Sequence, residues 1–394
     1  MPPISTRRID RCLSLDDFEP LARRHLPHPL FEYIRGGSET NASLRGNLRS
    51  FQDWGFVPRV MNNVSGRNAT ATLMGQSYAA PIGIAPMGLS ALMAYRGDIA
   101  MARAARSANL PMIMSGSSLI RLEDVAVENP DMWFQAYLPG EPERILALVD
   151  RVAAAGIGTL VITVDTATLA NRENNVRAGF STPLRPGPRL AMQGMTHPVW
   201  TLGTFLRTIL RHGMPHFENS FAERGAPILS RSVMRDFRKK DHLDWSHFAL
   251  IRERWKGNLV IKGLVSPADA ERAVLEGAQG IVVSNHGGRQ LDGTAAPLRM
   301  LPAIRDAVGG RAALLLDGGV RRGSDVLKAL ALGADAVLVG RPILYAAAVG
   351  GEAGNDRALA IMMEEIHRNM ALLGIRSLDE LDETFVLRTV PQPE

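Results

Sequence analysis

Gly280-Ile281-Val282-Val283-Ser284-Asn285-His286-Gly287-Gly288-Arg289-Gln290 is the stretch that decides how this chain is read. An apolar run of strand length stops abruptly in a glycine-rich loop. A buried strand delivers its last side chains to a fixed place, and two glycines let a ligand approach the backbone closely. The loop carries His286, a proton acceptor near neutral pH. Three residues on, Arg289 offers a planar fork suited to a carboxylate. The direct reading is a site that grips an acid and removes a proton from it.

Working outward, seven more runs of the same kind recur, so that the full set is Ile82–Ala85, Met112–Ser115, Trp133–Tyr137, Leu160–Asp165, Leu259–Lys262, Gly280–Ser284, Ala313–Asp317 and Ala336–Gly340. Stretches with helical spacing lie between most of them: Asp98–Ala108, Glu141–Ala155, Ser266–Glu276, Pro302–Val308 and Ser324–Leu332. Strand and helix alternating eight times predict an α/β fold, a (β/α)8 TIM barrel. A doubly wound open sheet alternates in the same way and stays open as the alternative. The barrel is favoured by the polar residues that end almost every run: Pro86-Met87-Gly88, Ser115, Gln135, Tyr137, Thr163, Asp165, Lys262, His286, Asp317 and Gly340-Arg341. In a barrel all those ends meet on one face. Asp317-Gly318-Gly319-Val320-Arg321-Arg322-Gly323 and Val339-Gly340-Arg341 follow the last two runs, where glycine-rich turns with arginine bind phosphate.

The rest of the chain frames this domain. Residues 1–394 read as one domain, with 1–60 an N-terminal extension packed on the barrel and 182–257 an insertion after the fourth strand, membrane-associated or mobile. The single cysteine, Cys12, excludes an internal disulfide and a cysteine metal cluster. The first residues lack the apolar core of a signal peptide, and no window reaches the length of a spanning helix. A net charge of +5 hides an uneven spread. From Ser181 to Asn258 there are 13 Arg and Lys against 6 Asp and Glu, a surplus of 7, which leaves the remainder at −2. That surplus lies beside amphipathic apolar stretches, which suits an anionic membrane surface better than nucleic acid.

The block from Ile261 to Pro342, and above all Ser284-Asn285-His286-Gly287-Gly288-Arg289-Gln290, resembles the FMN-dependent 2-hydroxy-acid oxidases and dehydrogenases, among them glycolate oxidase, the L-lactate dehydrogenases and mandelate dehydrogenase. The resemblance runs from about Asp16 to Glu380 and is weakest between Thr182 and Asn258. It implies FMN as cofactor and the following roles. His286 is the catalytic base, and Asp165 holds it and stabilises its charged form. Tyr137 faces the substrate hydroxyl. Tyr33, Arg172 and Arg289 engage the substrate carboxylate. Lys262 lies near flavin N1, and Ser115, Gln135 and Thr163 meet the ring edge. Pro86, Met87 and Gly88 line the ring, with the Gly88 backbone beside N5. Ser284, Asp317, Gly319, Arg321, Gly340 and Arg341 complete the cofactor site through the ribityl chain and phosphate. No metal is expected.

The implied reaction is oxidation of an (S)-2-hydroxy acid to the 2-oxo acid, with L-lactate the default substrate and mandelate or another larger acid the rival. Proton loss from the hydroxyl (hydride transfer) and from C2 (carbanion route) both remain open. Electrons would pass to quinone or another acceptor, oxygen being the alternative. A flavin-free phosphate-binding barrel, a lyase or isomerase with Lys262 as a Schiff-base lysine, is the reading from a different class. Two positions depart from the glycolate oxidase pattern. Gly88 stands where Pro-Thr-Ala has alanine, which puts oxygen use in doubt, and Ser117 stands where a tryptophan covers the substrate, which leaves room for a larger side chain. In the insertion, Leu202, Phe205, Leu206, Ile209 and Leu210 share one helical face flanked by Arg and Trp200, the pattern of a membrane-interface helix over 195–217. A cytoplasmic homotetramer, peripheral on the inner face of the cell membrane, is the expected state.

Overall fold

The eight runs become eight parallel strands of a single sheet in the computed structural model, which describes residues 6–180, 187–230 and 240–389. They are β1 (Ile82–Ile84), β2 (Ile113–Ser115), β3 (Trp133–Ala136), β4 (Thr159–Thr163), β5 (Asn258–Leu264), β6 (Gly280–Val283), β7 (Ala313–Asp317) and β8 (Ala336–Val339). From β2 to β8 each strand pairs with the next, and β8 pairs back onto β1. The circle closes through a parallel bridge between Ile84 and Met112 and the Ile84 amide donating to Pro111 at 2.9 Å. The open-sheet alternative is thereby excluded, and the (β/α)8 barrel stands.

Two faces of each strand make two cores. Val161, Val260, Val282 and Leu315 point inward with Trp133 and Leu338. Leu160, Ile162, Ile261, Ile281 and Leu316 point outward against the helices. This alternation is the period of two that a pleated strand imposes. A small hairpin, Ala71–Leu73 with Gln76–Tyr78, sends Leu73 and Tyr78 into the inner cluster and plugs one end of the barrel. Helices Phe18–His25 and His28–Arg35 bury Phe18, Phe31 and Ile34 in the outer core, and Trp54–Phe56 pairs with Val386–Arg388 near the other end of the chain.

Where structure and sequence reading differ, a local cause is visible. Strand β5 runs past the expected Lys262 because Gly263 makes a bulge there, at φ +108°. A side chain at Gly263 would meet the Asp165 carboxyl carbon at 2.8 Å, so glycine lets the end of β4 close in on β5. The helix expected at Pro302–Val308 starts earlier, at Pro297, and holds Pro302 inside it. Proline at the first position costs nothing, while burial of Leu298, Leu301, Ile304 and Val308 outweighs the backbone bond lost at Pro302.

The insertion docks more firmly than its sequence suggested. Residues 182–186 and 231–239 of it lie outside the described residues. The rest includes helix Pro188–Thr196, a turn at Pro198–Trp200, a wide π-helical turn Thr201–Leu206 and helix Arg207–His212. Trp200, expected at a membrane interface, is buried instead. Its indole N–H donates to the Leu92 carbonyl at 2.8 Å, and Phe205 stacks on it at 5.5 Å. Ile209 is half-buried with Phe205, whereas Leu202, Leu206 and Leu210 remain exposed. The single apolar face therefore divides into an inner half that anchors and an outer half that stays bare. Among the described residues no helix is long and apolar enough to cross a membrane.

Candidate active site

The carboxyl ends of the strands surround a cavity of about 810 Å3. Of the expected site residues, Tyr33, Pro86, Met87, Gly88, Tyr137, Thr163, Arg172, Lys262, His286, Arg289, Asp317, Gly319, Arg321, Gly340 and Arg341 line it. Asp165, Ser115, Gln135 and Ser284 do not line it: Asp165 is bonded to His286, Ser284 to Lys262, and Ser115 to Gln135.

His286 is aimed by an unusual turn. It and the next two residues, Gly287 and Gly288, all have left-handed backbone, at φ 58°, 63° and 74°. Such a conformation is costly for histidine and persists where the surroundings impose it. Here they do: a side chain at Gly287 would meet Arg341 at 2.8 Å, and one at Gly288 would meet the Leu44 amide nitrogen at 2.5 Å. The His286 amide donates to Ser284 Oγ at 3.0 Å. Its Nδ1 lies 3.0 Å from Asp165 Oδ1. An ionised carboxylate only accepts, so the ring proton sits on Nδ1 and the Nε2 lone pair faces the cavity. Burial depresses the His286 pKa more than Asp165 raises it, so the free imidazole is neutral and ready to take a proton. For Asp165, burial acts upward, but the attraction of His286 and Lys262 outweighs it and keeps the carboxylate ionised. Tyr137 places its hydroxyl 3.5 Å from Nε2, and burial pushes its pKa upward, so it remains a donor.

Arginines crowd one side. Arg289 Nη1 donates to the carbonyls of Tyr33 at 2.7 Å and Gly36 at 2.8 Å, and its guanidinium stacks over the Tyr33 ring at 4.9 Å. Arg172 donates to the Arg289 carbonyl at 3.1 Å and to Gln290 Oε1 at 3.0 Å. Arg341 donates to the carbonyls of Ile34, Gly36 and Gly287. Burial, reinforced by neighbouring arginines, lowers Arg289 to about 9 and Arg341 to about 10. Both remain charged at neutral pH. Among the described residues none of Arg172, Arg289 and Arg341 has an ion-pair partner within 4 Å. Among the described residues these half-buried cations are held by carbonyl oxygens rather than carboxylates, which makes the group a place for anions.

A second polar cluster lies deeper. Lys262 Nζ pairs with Asp317 Oδ2 at 2.8 Å and donates to Ser284 Oγ at 2.9 Å, and Ser284 donates to Asp317 Oδ1 at 2.6 Å. Ser115 Oγ donates to Gln135 Oε1 at 3.1 Å. Gln135 Nε2 and Thr163 Oγ1 are buried without any partner. Such orphaned groups are expensive unless a ligand completes them. A planar ring with carbonyl and N–H groups along one edge would do so, and the FMN isoalloxazine is such a ring. Its phosphate fits a second hollow of about 140 Å3, lined by Gly319, Arg321, Arg341, Arg35 and Asn47. At Gly319, φ is +90° and a side chain would meet the Asn47 carbonyl at 2.4 Å, so only glycine forms this cradle. The residues present fit FMN.

Three further residues of this site had no role in the sequence reading. Gln290 donates to the Asp165 carbonyl at 2.8 Å while accepting from Arg172, so it ties Asp165 to Arg172. It lies inside the loop motif and was legible there. Phe217 and Lys240 line the cavity from the insertion, where no periodicity marks them. Phe217 is buried, so the insertion supplies part of the cavity wall, which also includes the small residues Gly88 and Ser117. Those two abut: a side chain at Gly88 would meet Ser117 Cβ at 2.8 Å.

Comparison with known proteins agrees with this geometry. A family model described as FMN-dependent dehydrogenase matches residues 22–388. The L-lactate dehydrogenase of Xanthomonas campestris pv. campestris (strain B100) is 40% identical over 370 residues, 93% of this chain and 94% of that protein. The (S)-mandelate dehydrogenase of Pseudomonas putida is 34% identical over 374 residues, 95% of this chain and 93% of that one. A solved structure of the monotopic membrane protein (S)-mandelate dehydrogenase superposes with a TM-score of 0.90 at 33% identity, covering 96% of this chain and all of that one.

Proposed function

Because the chain belongs to the FMN-dependent dehydrogenase family, whose members act on 2-hydroxy acids, we propose that it oxidises an (S)-2-hydroxy acid, L-lactate first, to the 2-oxo acid and passes the electrons to a quinone. The observation that carries this reading is the neutral His286, backed by Asp165 at 3.0 Å, facing the same cavity as the carbonyl-held Arg172 and Arg289.

FMN, when bound, supplies the acceptor for the electron pair. The protein does the rest. Arg289, Arg172 and Tyr33 bind the substrate carboxylate and so fix C2 against His286. Tyr137 donates to the substrate oxygen. His286 takes the proton at Nε2, and Asp165 stabilises the imidazolium that results. Lys262 would hold the ring's electron-rich edge, Gln135 and Thr163 its polar edge, and Gly319, Arg321, Gly340 and Arg341 the phosphate. Membership of the family removes the flavin-free lyase alternative, and the Lys262–Asp317 ion pair suits an ammonium ion rather than a nucleophilic amine.

A larger acid is the second reading. Gly88 and Ser117 are small where bulk would restrict the C2 substituent, and the mandelate dehydrogenase fold superposes closely. The acceptor follows from the surface. Met195, Leu202 and Leu210 are 74%, 52% and 83% exposed on the docked insertion, an apolar patch suited to the membrane interface where quinones reside. The solved neighbour is described as a monotopic membrane protein. A homotetramer is the assembly we expect.

Anaerobic flavin bleaching tests the reaction. L-lactate should bleach the holoenzyme, and H286N should bind FMN and stay yellow with substrate. Bleaching of H286N at the wild-type rate would remove the base from the scheme. Turnover with quinone and ferricyanide should exceed that with oxygen, and L202S/L206S/L210S should lose binding to anionic vesicles while keeping dye-linked turnover.

A further inference from the structure

Beside the arginines that face the substrate carboxylate lies a buried amide with nothing to bond. Helix Glu173–Ala178 starts directly after Arg172. It is held against the N-terminal extension, where the Asn174 amide donates to the Glu32 carbonyl at 2.9 Å and the Phe180 ring lies 4.6 Å from that of Tyr33. Gly36 allows this approach, because a side chain there would overlap the Asn174 amide. Arg172, Asn175, Val176 and Gly179 consequently line the cavity, at the spacing of one helical face. Asn175 is only 9% exposed, and among the described residues its Oδ1 accepts no hydrogen bond. A buried amide oxygen without a donor is costly, and a ligand that brings the donor removes that cost.

The ligand groups already placed do not supply it. The C1 carboxylate only accepts. The C2 hydroxyl is engaged by His286 and Tyr137. The polar edge of the flavin would be met by Gln135 and Thr163, and its ribityl chain by the cluster around Asp317. What remains is the substituent on C2. An ammonium on it is disfavoured by Arg172, three residues before Asn175, and by Arg289, so the donor is a neutral one. The neighbouring wall agrees. Thr166, Thr168 and Asn171 line the cavity from the loop between β4 and this helix, and Arg172 is the one charged side chain among the lining residues from Thr166 to Gly179. Such a wall suits hydroxyl groups, which both donate and accept.

Resting on the hydroxy-acid reading above, we infer that Asn175 is a specificity-determining residue whose side-chain oxygen accepts a hydrogen bond from a hydroxyl on the C2 substituent, so that the preferred substrates are polyhydroxy acids with the (S) configuration at C2. A plain alkyl or phenyl substituent leaves the amide without a partner, and the discrimination comes from that unpaired group.

The test is anaerobic flavin reduction of the full-length holoenzyme with two matched pairs of acids and with L-lactate as reference. L-glycerate is paired with (S)-2-hydroxybutyrate, and (S)-2,4-dihydroxybutyrate with (S)-2-hydroxypentanoate. Each pair exchanges a terminal hydroxyl for a methyl at constant length. The readout is the ratio of second-order reduction rate constants within each pair, in wild type, N175L, N175A and N175D. Wild type should favour the hydroxylated acid in at least one pair, and N175L and N175A should lower that ratio on the order of tenfold. N175D keeps an acceptor and should retain most of the preference. A merely structural role would slow both members of a pair alike and leave the ratio where it was. FMN content and melting temperature report folding, and N175A stands in if N175L does not fold. A wild-type ratio at or below one in both pairs overturns the inference, as does a ratio unchanged in the variants. Failure of every acid, L-lactate included, to bleach the wild type is a distinct outcome that overturns the hydroxy-acid reading and this inference with it.

Discussion

The carboxylate of Asp165 and the imidazole of His286 meet at 3.0 Å across the barrel mouth, although 121 residues separate them in sequence. The contact depends on Gly263, since any side chain there would displace Asp165. Asp165 fixes the ring proton on Nδ1 and offsets part of the burial that disfavours imidazolium. In D165N the amide cannot stabilise the charged ring and can hold the wrong tautomer. Flavin reduction should fall on the order of a thousandfold while FMN stays bound. The pH profile carries a second sign. His286 works as the neutral base, so reduction should rise with pH through its pKa, which lies below the usual histidine value. Asp165 raises that pKa, so its loss should move the rising limb to lower pH. Stopped-flow reduction from pH 4.5 to 8 checks both, and a limb that moves upward would contradict the assignment.

Arg289 is a half-buried guanidinium that, among the described residues, donates to the carbonyls of Tyr33 and Gly36, and its removal should be felt mainly in binding. R289M should weaken the apparent Kd for lactate on the order of a hundredfold, the worth of a charged hydrogen-bonded contact. R289K should recover part of this, because lysine restores charge without the fork. Oxalate, a planar dianion, should lose affinity in parallel when measured by flavin perturbation. An unchanged oxalate affinity in R289M would place carboxylate recognition elsewhere.

Gly88 and Ser117 form a contact that can be tested by exchange. G88A sets a methyl 2.8 Å from Ser117 Cβ, closer than real contacts allow, so the loop beside the flavin must shift. Reduction by lactate should slow on the order of tenfold, since small displacements at a reacting centre are costly. S117G removes the offending carbon, and the double variant G88A/S117G should recover most of the rate. Additive losses in the double variant would show that the two positions act independently.

Much of the architecture was legible because it rests on local rules. Each barrel strand is a short apolar run ended by polar residues, and all eight appear where those runs stand. Polar residues cluster at the strand ends for the same reason, so the placing of His286, Lys262 and Asp317 around one cavity could be expected from the runs that precede them. The insertion was harder to read. Its apolar spacing shows that a helix has a face, but not what covers that face. Trp200 and Phe205 could equally meet lipid or protein, and only the pocket around Leu92 decides for protein. Phe217 and Lys240 reach the cavity by tertiary docking over more than fifty residues of sequence, and no local period records that. Gly263 shows the same limit, because its need for φ +108° comes from Asp165 on the neighbouring strand.

Asp98 gives a prediction about stability rather than chemistry. It is buried in the first turn of helix Gly97–Ser107, and neither carboxylate oxygen has a hydrogen-bond partner of good geometry. Burial raises its pKa to about 6, with nearby Ser90 and Ser118 hydroxyls reducing the shift. A carboxyl whose pKa is higher folded than unfolded stabilises the fold while protonated. That contribution is complete below the unfolded value near 4 and is lost as pH rises through about 6. It is worth up to about 3 kcal/mol, of which roughly 1.4 kcal/mol lies between pH 5 and 7.5. D98N carries no such charge. Scanned at one rate, wild type should lose about 2 °C more than D98N between those pH values. Equal losses in the two proteins would mean that Asp98 keeps an ordinary pKa in its buried place.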